Sequence, residues 1–344
     1  MPPMNFRLPP RLELAQLPTP IALLERLSAR WRGPRIWVKR DDDTGGVLSG
    51  NKVRKLAYVF REALAAGADV VVTCGGLQSN HCRATAVIAR RLGLDVVLCL
   101  RGAEPPESEV PQGNYLIDRL VGAEVRFITA AEYQEHDRVM EEVARELARS
   151  GRRPFVIAEG ASMPLGALGY VDACREIAES EKALGVRFDA VVHPVGSGGT
   201  SAGLELGVRL YGLEAKVWGV IVCDDESYFR PLIHRIALET IARYELPVSI
   251  EASEVGLIDG YVGGGYGECG PEAWAVIFDA GRLEGLVLDP SYTGKTLYAL
   301  SRELAGPRFA SAENVLFVHT GGAYGLFPKA EKIPFRRVDA FRGD

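Results

Sequence analysis

Short runs of apolar, mostly β-branched residues alternate with helical patterns along most of the chain. Strands are predicted at residues 36–39, 69–73, 95–100, 124–128, 154–157, 190–193, 216–222 and 315–319. Helices are predicted at residues 53–66, 84–92, 114–120, 132–149, 166–180, 203–211 and 296–302. Near-continuous apolar strands need helices on both faces, which is typical of parallel sheets. The alternation therefore predicts an α/β fold built on mostly parallel sheets.

Gly- and Pro-rich breaks near residues 102–113 and 158–166 indicate loops or domain joints. We expect residues 53–165 to form the smaller α/β domain, and residues 1–52 and 166–344 to form together the larger one. The fold class is then two open, twisted sheets, each covered by helices. Ligands in such folds bind at the carboxyl ends of the strands. A binding site is therefore predicted between the two sheets.

Charge and histidine content exclude two classes of function. Lys plus Arg total 40 against 45 Asp plus Glu, a net charge of −5. Nucleic-acid binding usually requires a basic surface, so no nucleic-acid partner is expected. Five histidines are too few to favour a His-rich metal site, and none is predicted.

Cysteines and apolar runs bear on the compartment. The six cysteines form no CxxC pair and mostly lie in apolar runs, which favours buried free thiols in a reducing cytoplasm. The proline-broken N-terminus does not resemble a signal peptide, and no apolar run is long enough to span a bilayer. We expect a cytoplasmic protein with no membrane partner.

Lys52 is the candidate nucleophile. It lies in the segment Ser49-Gly50-Asn51-Lys52, where a Gly-containing turn meets the predicted helix at 53–66, and Lys55 follows one helical turn later. A helix N-terminus and a neighbouring cation both lower the pKa of an amine. A lysine in this setting can form a Schiff base.

A glycine-rich loop, residues 194–203, joins the strand at 190–193 to the following helix. Glycines allow the backbone to approach an anion, and amides at a helix N-terminus bind phosphate. The loop has neither the lysine of a P-loop nor the spacing of a dinucleotide site, so one small phosphate fits it better. The alternative is a tight strand-to-helix turn.

Residues 75–82 join another strand to a helix and include Gln78, Ser79 and Asn80. Two amides and a hydroxyl at a helix N-terminus can hold a carboxylate. Simple N-capping by Ser79 or Asn80 is an equally good explanation. His81 is expected to be structural or to support the site indirectly.

Two late loops carry the remaining candidates. Tyr292 precedes a predicted helix and could stack on a planar ring, or it could only pack beneath its loop. Thr320 ends a strand before a Gly-Gly pair and could direct a hydroxyl into a site, or it could only form the turn.

These segments together resemble the pyridoxal-phosphate-dependent enzymes of fold type II, related to tryptophan synthase β. Within that superfamily the chain is similar to the D-cysteine desulfhydrases and 1-aminocyclopropane-1-carboxylate (ACC) deaminases. The resemblance covers nearly the whole chain in five ordered motifs, at residues 49–56, 78–81, 196–200, 292–295 and 319–322.

The resemblance implies a pyridoxal 5'-phosphate cofactor bound by Asn51, Lys52, Lys55, Asn80, Gly196, Ser197, Gly198, Gly199, Thr200, Tyr292 and Thr320. It implies substrate contacts from Gln78, Ser79, Asn80, Tyr266 and Thr293. Lys52, Ser79 and Tyr292 would be the catalytic residues, with Lys52 forming the Schiff base and moving the α-proton. For Tyr266, packing within its own loop is the plausible alternative. A small amino acid would be the substrate, and a homodimer the assembly.

Two positions separate the subfamilies. ACC deaminases resemble one another in having Glu after the stacking tyrosine and Leu before the final Gly-Gly, whereas this chain has Thr293 and Thr320. A carboxylate would keep the pyridine nitrogen protonated for opening a cyclopropane. A threonine suffices when a good β-leaving group departs.

The pattern therefore favours α,β-elimination from D-cysteine or a similar β-substituted amino acid, giving sulfide, ammonia and pyruvate. The alternatives are ACC deaminase, a lyase for L-cysteate or another β-substituted amino acid and, in a different class, a non-catalytic pyridoxal-phosphate- or phosphoanion-binding protein.

Overall fold

The computed structural model describes residues 6–106, 108–265 and 267–335. Within these ranges the strands are β1 (Ile21–Leu23), β2 (Arg35–Lys39), β3 (Val70–Gly76), β4 (Asp95–Arg101), β5 (Glu124–Ile128), β6 (Pro154–Val156), β7 (Ala190–Val195), β8 (Lys216–Ile221), β9 (Leu257–Ile258) and β10 (Asn314–Val318).

The helices in the same ranges are α1 (Glu25–Trp31), α2 (Lys52–Ala65), α3 (Asn80–Arg91), α4 (Gly113–Leu120), α5 (Ala130–Gln134), α6 (His136–Arg149), α7 (Pro164–Leu184), α8 (Gly199–Leu210), α9 (Glu226–Tyr244), α10 (Pro271–Glu284), α11 (Thr293–Glu303) and α12 (Ala323–Leu326). None of these helices is both long and apolar enough to cross a membrane.

Two sheets organise the strands. The larger has the order β1-β2-β10-β7-β8-β9, and the smaller has the order β5-β4-β3-β6. Strand β1 pairs antiparallel with β2, and the other pairs are parallel. The predicted class, two mostly parallel sheets covered by helices, is confirmed. The smaller sheet uses only strands between β3 and β6, while the division into domains at residues 52 and 165 stays a prediction.

Helix α2 shows how the apolar pattern orients an element. Val53, Leu56, Phe60 and Ala63 are fully buried in it. They recur every three or four residues and so share one face of the helix. Leu64, the next residue, is 37% exposed, because it lies past the edge of that stripe. The buried face fixes the rotation of α2 and thereby the direction of Lys52 at its first turn.

Several elements differ from prediction, and strands β1 and β9 and helices α1 and α12 were not predicted at all. The single helix expected at 132–149 is two helices, α5 and α6, because Glu135 between them leaves the helical conformation with φ −115° and ψ 33°. Helices α9 and α10 were not predicted. Pro231 inside α9 and exposed apolar residues such as Leu238 obscure its periodicity.

All six cysteines are free, four of them buried, as their apolar sequence context indicated.

Candidate functional site

A cavity of about 690 Å³ lies where strands of both sheets end. Its walls include residues that end or follow β3, β4 and β6 of the smaller sheet and β7, β8 and β10 of the larger. The predicted site residues that line it are Asn51, Lys52, Ser79, Asn80, Gly196, Ser197, Gly198, Thr200, Tyr292 and Thr320. The volume is within the range of small-molecule sites.

Lys52 is the first residue of α2 and lies half-buried on the cavity wall. Burial lowers the pKa of its amine to about 8, although the negative charge of Glu159 acts in the opposite direction. A lysine with this pKa is partly neutral near physiological pH. The neutral amine is the form that attacks a carbonyl carbon.

The loop before Lys52 is packed against the end of β10. Gly50 has φ +113°, and a Cβ atom added to it would lie 2.8 Å from the carbonyl oxygen of Thr320. A Cβ atom on Gly321 would lie 2.7 Å from the Cα atom of Gly50. Only glycine tolerates both that φ angle and that approach. The two loops therefore hold Lys52 and Thr320 beside one another on the same wall.

The glycine-rich loop after β7 forms a cradle with a hydroxyl at its centre. Ser162 Oγ donates to Ser197 Oγ at 2.8 Å and accepts from the backbone amide of Gly199 at 3.1 Å. Lys55 Nζ also donates to Ser162 Oγ, at 3.1 Å. The cradle thus gathers a hydroxyl pair, a backbone amide at the start of α8 and a lysine. This donor set suits a phosphate.

Two further features of the cradle indicate an anion. A Cβ atom on Gly199 would lie 2.8 Å from both Lys55 Nζ and Ser162 Oγ, so the space exists only because residue 199 is glycine. Lys55 is fully buried, and burial together with the nearby charge of Lys52 holds its pKa well below the ordinary range. A bound anion would offset both effects. Lys55 does not itself line the cavity but lies behind Ser162.

Tyr292 lies against the cradle. A Cβ atom on Gly196 would approach the Tyr292 ring to 2.9 Å at Cε1, so the ring packs directly on the glycine backbone. The backbone amide of Tyr292 donates to Asp289 Oδ2 at 2.9 Å, which fixes the loop. Both residues 196 and 292 line the cavity, so the ring is positioned beside the anion cradle and the lysine.

Ser79 and Asn80, at the start of helix α3, also line the cavity. Ser79 Oγ accepts from the amide of Cys82 at 3.2 Å, so Ser79 is the N-cap as well as a cavity residue. An oxygen that accepts this bond keeps its own hydrogen for donation outward. His81 Nε2 bonds Thr73 Oγ1 at 2.8 Å, and burial holds its pKa well below the ordinary value. It touches the cavity as a neutral, structurally bonded ring.

Two predicted substrate residues, Gln78 and Thr293, do not line the cavity. Gln78 Oε1 accepts from the amide of Asn114 at 2.9 Å, and its Nε2 donates to the carbonyl of Gln112 at 3.1 Å. Thr293 is fully buried, and its Oγ1 donates to Asp289 Oδ1 at 2.7 Å. Both side chains therefore form hydrogen bonds that hold neighbouring loops, and substrate contact by either stays a prediction. Tyr266 lies outside the described residues.

Sequence reasoning missed a group of charged and aromatic residues on the wall. Tyr133 in α5 donates its hydroxyl hydrogen to Glu159 Oε1, and the guanidinium carbon of Arg101 lies 4.7 Å above the Tyr133 ring. Arg101 ends β4, and Glu159 follows β6. The same carboxyl-end rule that located the glycine loops applies to these two positions, so it could have found them.

A buried ionic network supports the helix that carries Lys52. Arg54 donates to Asp41 Oδ1 at 2.8 Å and to Glu176 Oε1 at 2.8 Å, and Lys39 Nζ donates to Glu176 Oε2 at 2.7 Å. All four side chains are at most 1% exposed. The network ties α2 to β2 and α7. Nothing in the local sequence pattern pairs these distant charges.

Comparison with known proteins gives consistent results. The family model described as "Pyridoxal-phosphate dependent enzyme" matches residues 12–321. A candidate 1-aminocyclopropane-1-carboxylate deaminase of Pyrococcus abyssi is 41% identical over 94% of this chain and 95% of its own. A D-cysteine desulfhydrase of Klebsiella pneumoniae is 38% identical over 92% and 95%. The crystal structure of an ACC deaminase homologue superposes with a TM-score of 0.86 at 39% identity, covering 94% and 95%.

Proposed function

The chain belongs to the family of pyridoxal-phosphate-dependent enzymes, and on that basis we propose that it catalyses α,β-elimination from D-cysteine or a similar β-substituted amino acid. D-cysteine and one water molecule would give pyruvate, ammonia and hydrogen sulfide. The family also groups it with ACC deaminases and D-cysteine desulfhydrases. The reaction, substrate and residue roles given next are part of the proposal.

The residues present fit the cofactor. The Ser162-centred cradle offers a hydroxyl pair, a backbone amide and a buried lysine for a phosphate, in space that a Cβ atom at residue 199 would fill. Lys52 supplies an amine of lowered pKa, and Tyr292 supplies a ring beside the cradle. When bound, pyridoxal phosphate supplies an electron-withdrawing ring that stabilises negative charge at the substrate Cα.

The side chains of this protein would bind and orient the substrate and move its proton. Lys52 would hold the cofactor, and its Nζ would take the proton from the substrate Cα. Ser79 Oγ, which already accepts from Cys82, would donate its hydrogen to the substrate carboxylate. Asn80, beside it at the start of α3, would hold the cofactor's phenolic oxygen. Tyr292 would stack on the ring.

We infer the type of reaction from Thr320. It lines the cavity at the end of β10 beside the Lys52 loop, and position 293 after the stacking tyrosine holds another threonine instead of a carboxylate. Without a carboxylate at either position, the cofactor ring would be a weaker electron sink. That is sufficient for a substrate whose β-substituent leaves as a stable anion, such as a thiolate.

ACC deaminase is the second candidate, and one observation favours it: the Pyrococcus abyssi relative carries that name. Its reaction would consume one water molecule, open the cyclopropane of ACC and release 2-oxobutanoate and ammonia. Elimination from L-cysteate uses the same leaving-group argument as D-cysteine. Neither alternative changes the proposed cofactor residues.

A substrate panel tests the proposal. Purified holoenzyme is assayed for 2-oxoacid release from D-cysteine, L-cysteine, L-cysteate and ACC, with Lys52→Ala as the control for uncatalysed cofactor chemistry. We expect pyruvate and sulfide from D-cysteine. Turnover of ACC alone would reject the elimination proposal. Cofactor binding without turnover of any amino acid would support the non-catalytic alternative.

Thr320→Ala refines the assay. If Thr320 serves the cofactor ring, the variant should lose elimination rate more than cofactor affinity. Loss of cofactor binding with an unchanged rate in the loaded fraction would contradict that role. A homodimeric state and a cytoplasmic location remain part of the proposal, and sedimentation of the holoenzyme tests the first.

A further inference from the structure

We propose that Asn114, in α4, is a positioning residue that holds the side-chain amide of Asn80 with its nitrogen edge toward the cavity. The inference rests on the proposed role of Asn80 beside the cofactor. No motif in the sequence drew attention to Asn114, which does not line the cavity. It is fully buried behind the start of α3.

The orientation of the Asn114 amide is determined by its neighbours. Asn114 Nδ2 lies 3.0 Å from the carbonyl oxygen of Gln78 and 3.2 Å from Asn80 Oδ1. A backbone carbonyl only accepts hydrogen bonds, so the edge of Asn114 that faces it must be the nitrogen. Asn114 Oδ1 has no hydrogen-bond partner within the described residues, so no neighbour favours the flipped orientation of this amide.

The backbone around Asn114 is also held in place. Its amide nitrogen donates to Gln78 Oε1 at 2.9 Å, and Gln78 Nε2 donates to the carbonyl of Gln112 at 3.1 Å. Gly113 has φ +58°, and a Cβ atom there would lie 2.5 Å from Gln78 Oε1. The start of α4 is therefore joined to the residue that precedes Ser79, and Asn114 cannot shift without breaking these bonds.

The hydrogen bond from Asn114 determines which edge of the Asn80 amide faces the cavity. Its Oδ1 accepts from Asn114, so the edge that remains to serve the cavity is Nδ2, a donor. A donor suits the anionic phenolic oxygen of pyridoxal phosphate, whereas an oxygen edge would repel it. Without a fixed neighbour, the two orientations of an asparagine amide are close in energy. Asn114 thus determines which one the cofactor meets.

A spectroscopic titration tests this. The negative charge on the cofactor's phenolic oxygen stabilises the protonated Schiff base. A hydrogen-bond donor to this oxygen disperses that negative charge and so lowers the pKa of the Schiff base. Loss of the donor should therefore shift the pH midpoint of the holoenzyme's visible colour change upward, by about 0.5–1 pH unit for one hydrogen bond. We expect this shift in Asn80→Ala, and a shift of the same sign in Asn114→Ala. Asn114→Asp, which keeps the shape and offers an acceptor to Asn80, should shift the midpoint at least as far.

The control is Gln112→Ala. Gln112 is exposed and contributes only its backbone carbonyl to Gln78, so this variant should keep the wild-type midpoint. In the Asn80→Ala background, Asn114→Ala should add no further shift, because the amide it orients is gone.

Two results would overturn the inference, and they can be distinguished. If Asn80→Ala moves the midpoint but both Asn114 variants bind cofactor with the wild-type midpoint, Asn114 only stabilises α4. If Asn80→Ala leaves the midpoint unchanged, the proposed cofactor role of Asn80 fails, and the inference fails with it. Should Asn114→Ala not fold, Asn114→Asp decides the same question.

Discussion

The backbone amide of Asn51 donates a 3.1 Å hydrogen bond to the carbonyl oxygen of Thr320. This bond joins the residue before the candidate nucleophile to the loop after β10, from residue 51 to residue 320 of a 344-residue chain. Asn51 also donates through Nδ2 to Thr200 Oγ1 at 3.1 Å, at the start of α8 in the glycine-rich loop. One asparagine therefore connects three of the five motifs that the sequence presents separately.

The contact between these loops predicts the effect of a single methyl group. Gly50→Ala would place a Cβ atom 2.8 Å from the Thr320 carbonyl oxygen at a φ of +113°. We expect a loss of about 1–3 kcal/mol in the free energy of unfolding and weaker cofactor binding, because Lys52 moves with the loop. Thermal unfolding and cofactor titration measure both. Gly46→Ala, where an added Cβ meets nothing within 4 Å, should change neither.

The lowered pKa of Lys52 predicts how cofactor attachment depends on pH. Only the neutral amine reacts, so attachment to the apoprotein should slow about tenfold per pH unit below 8 and level off above it. Glu159→Gln removes a charge that raises this pKa and should move the midpoint down by about half a pH unit. Stopped-flow absorbance gives the rates. Exposed Glu141→Gln is the control, and a midpoint near the ordinary lysine pKa would contradict the assignment.

The Ser162-centred cradle predicts a cost for any side chain at residue 199. Gly199→Ala should displace Ser162 and Lys55, whose atoms would lie 2.8 Å from the new Cβ, and weaken cofactor affinity about tenfold or more. Equilibrium titration with pyridoxal phosphate measures the change. Gly33→Ala serves as the control, because its Cβ would meet only Leu304 at an ordinary 3.8 Å. Equal affinities in the two variants would place the phosphate elsewhere.

The buried network predicts a large stability effect. Glu176→Gln leaves Lys39 and Arg54 without their shared carboxylate, and we expect a loss of about 3–5 kcal/mol. Glu142→Gln, which breaks an exposed ion pair with Arg138, should cost less than about 1 kcal/mol. Urea unfolding monitored by circular dichroism compares them. Similar losses in the two variants would contradict the importance of burial.

The same network predicts the acid limit of the protein. Burial would raise the pKa of Asp41 and of Glu176, but Arg54 and Lys39 outweigh it, and both pKa values are lowered. A carboxyl group with a lowered folded pKa contributes stability above its unfolded pKa and loses that contribution as the pH falls toward the folded value. The free energy of unfolding should therefore decrease below about pH 5. Glu176→Gln should show a shallower decrease than wild type.

Much of the fold and part of the site were predictable because they depend on local pattern. Strand β5 has the predicted bounds, and the glycine loop and the Lys52 turn both begin helices. Ligands in such folds bind at the carboxyl ends of strands, which predicts one shared site. One cavity there is lined by Lys52, Ser79, Gly196 and Thr320. Helix α9 was missed because Pro231 and exposed apolar residues obscure its period.

The direction of each side chain was not predictable in the same way. Gln78 and Ser79 are neighbours in one motif, yet Ser79 lines the cavity and Gln78 turns toward α4. Tyr133 and Glu159 lie in separate segments outside the five motifs, yet they share a hydrogen bond on the wall. Such choices depend on which backbone groups from distant segments offer a partner.

The sequence by itself determined the alternation of strands and helices, the positions of the loops that follow strands, and the residue types that those loops offer. Periodicity and glycine placement are properties of the local chain, so they can be read without coordinates. The tertiary structure alone decided that Arg54 meets Asp41 and Glu176, that Asn51 meets Thr320, and that Asn114 meets Asn80. Those pairs are formed when separate sheets and helices pack, and their free energy depends on burial that no local pattern specifies.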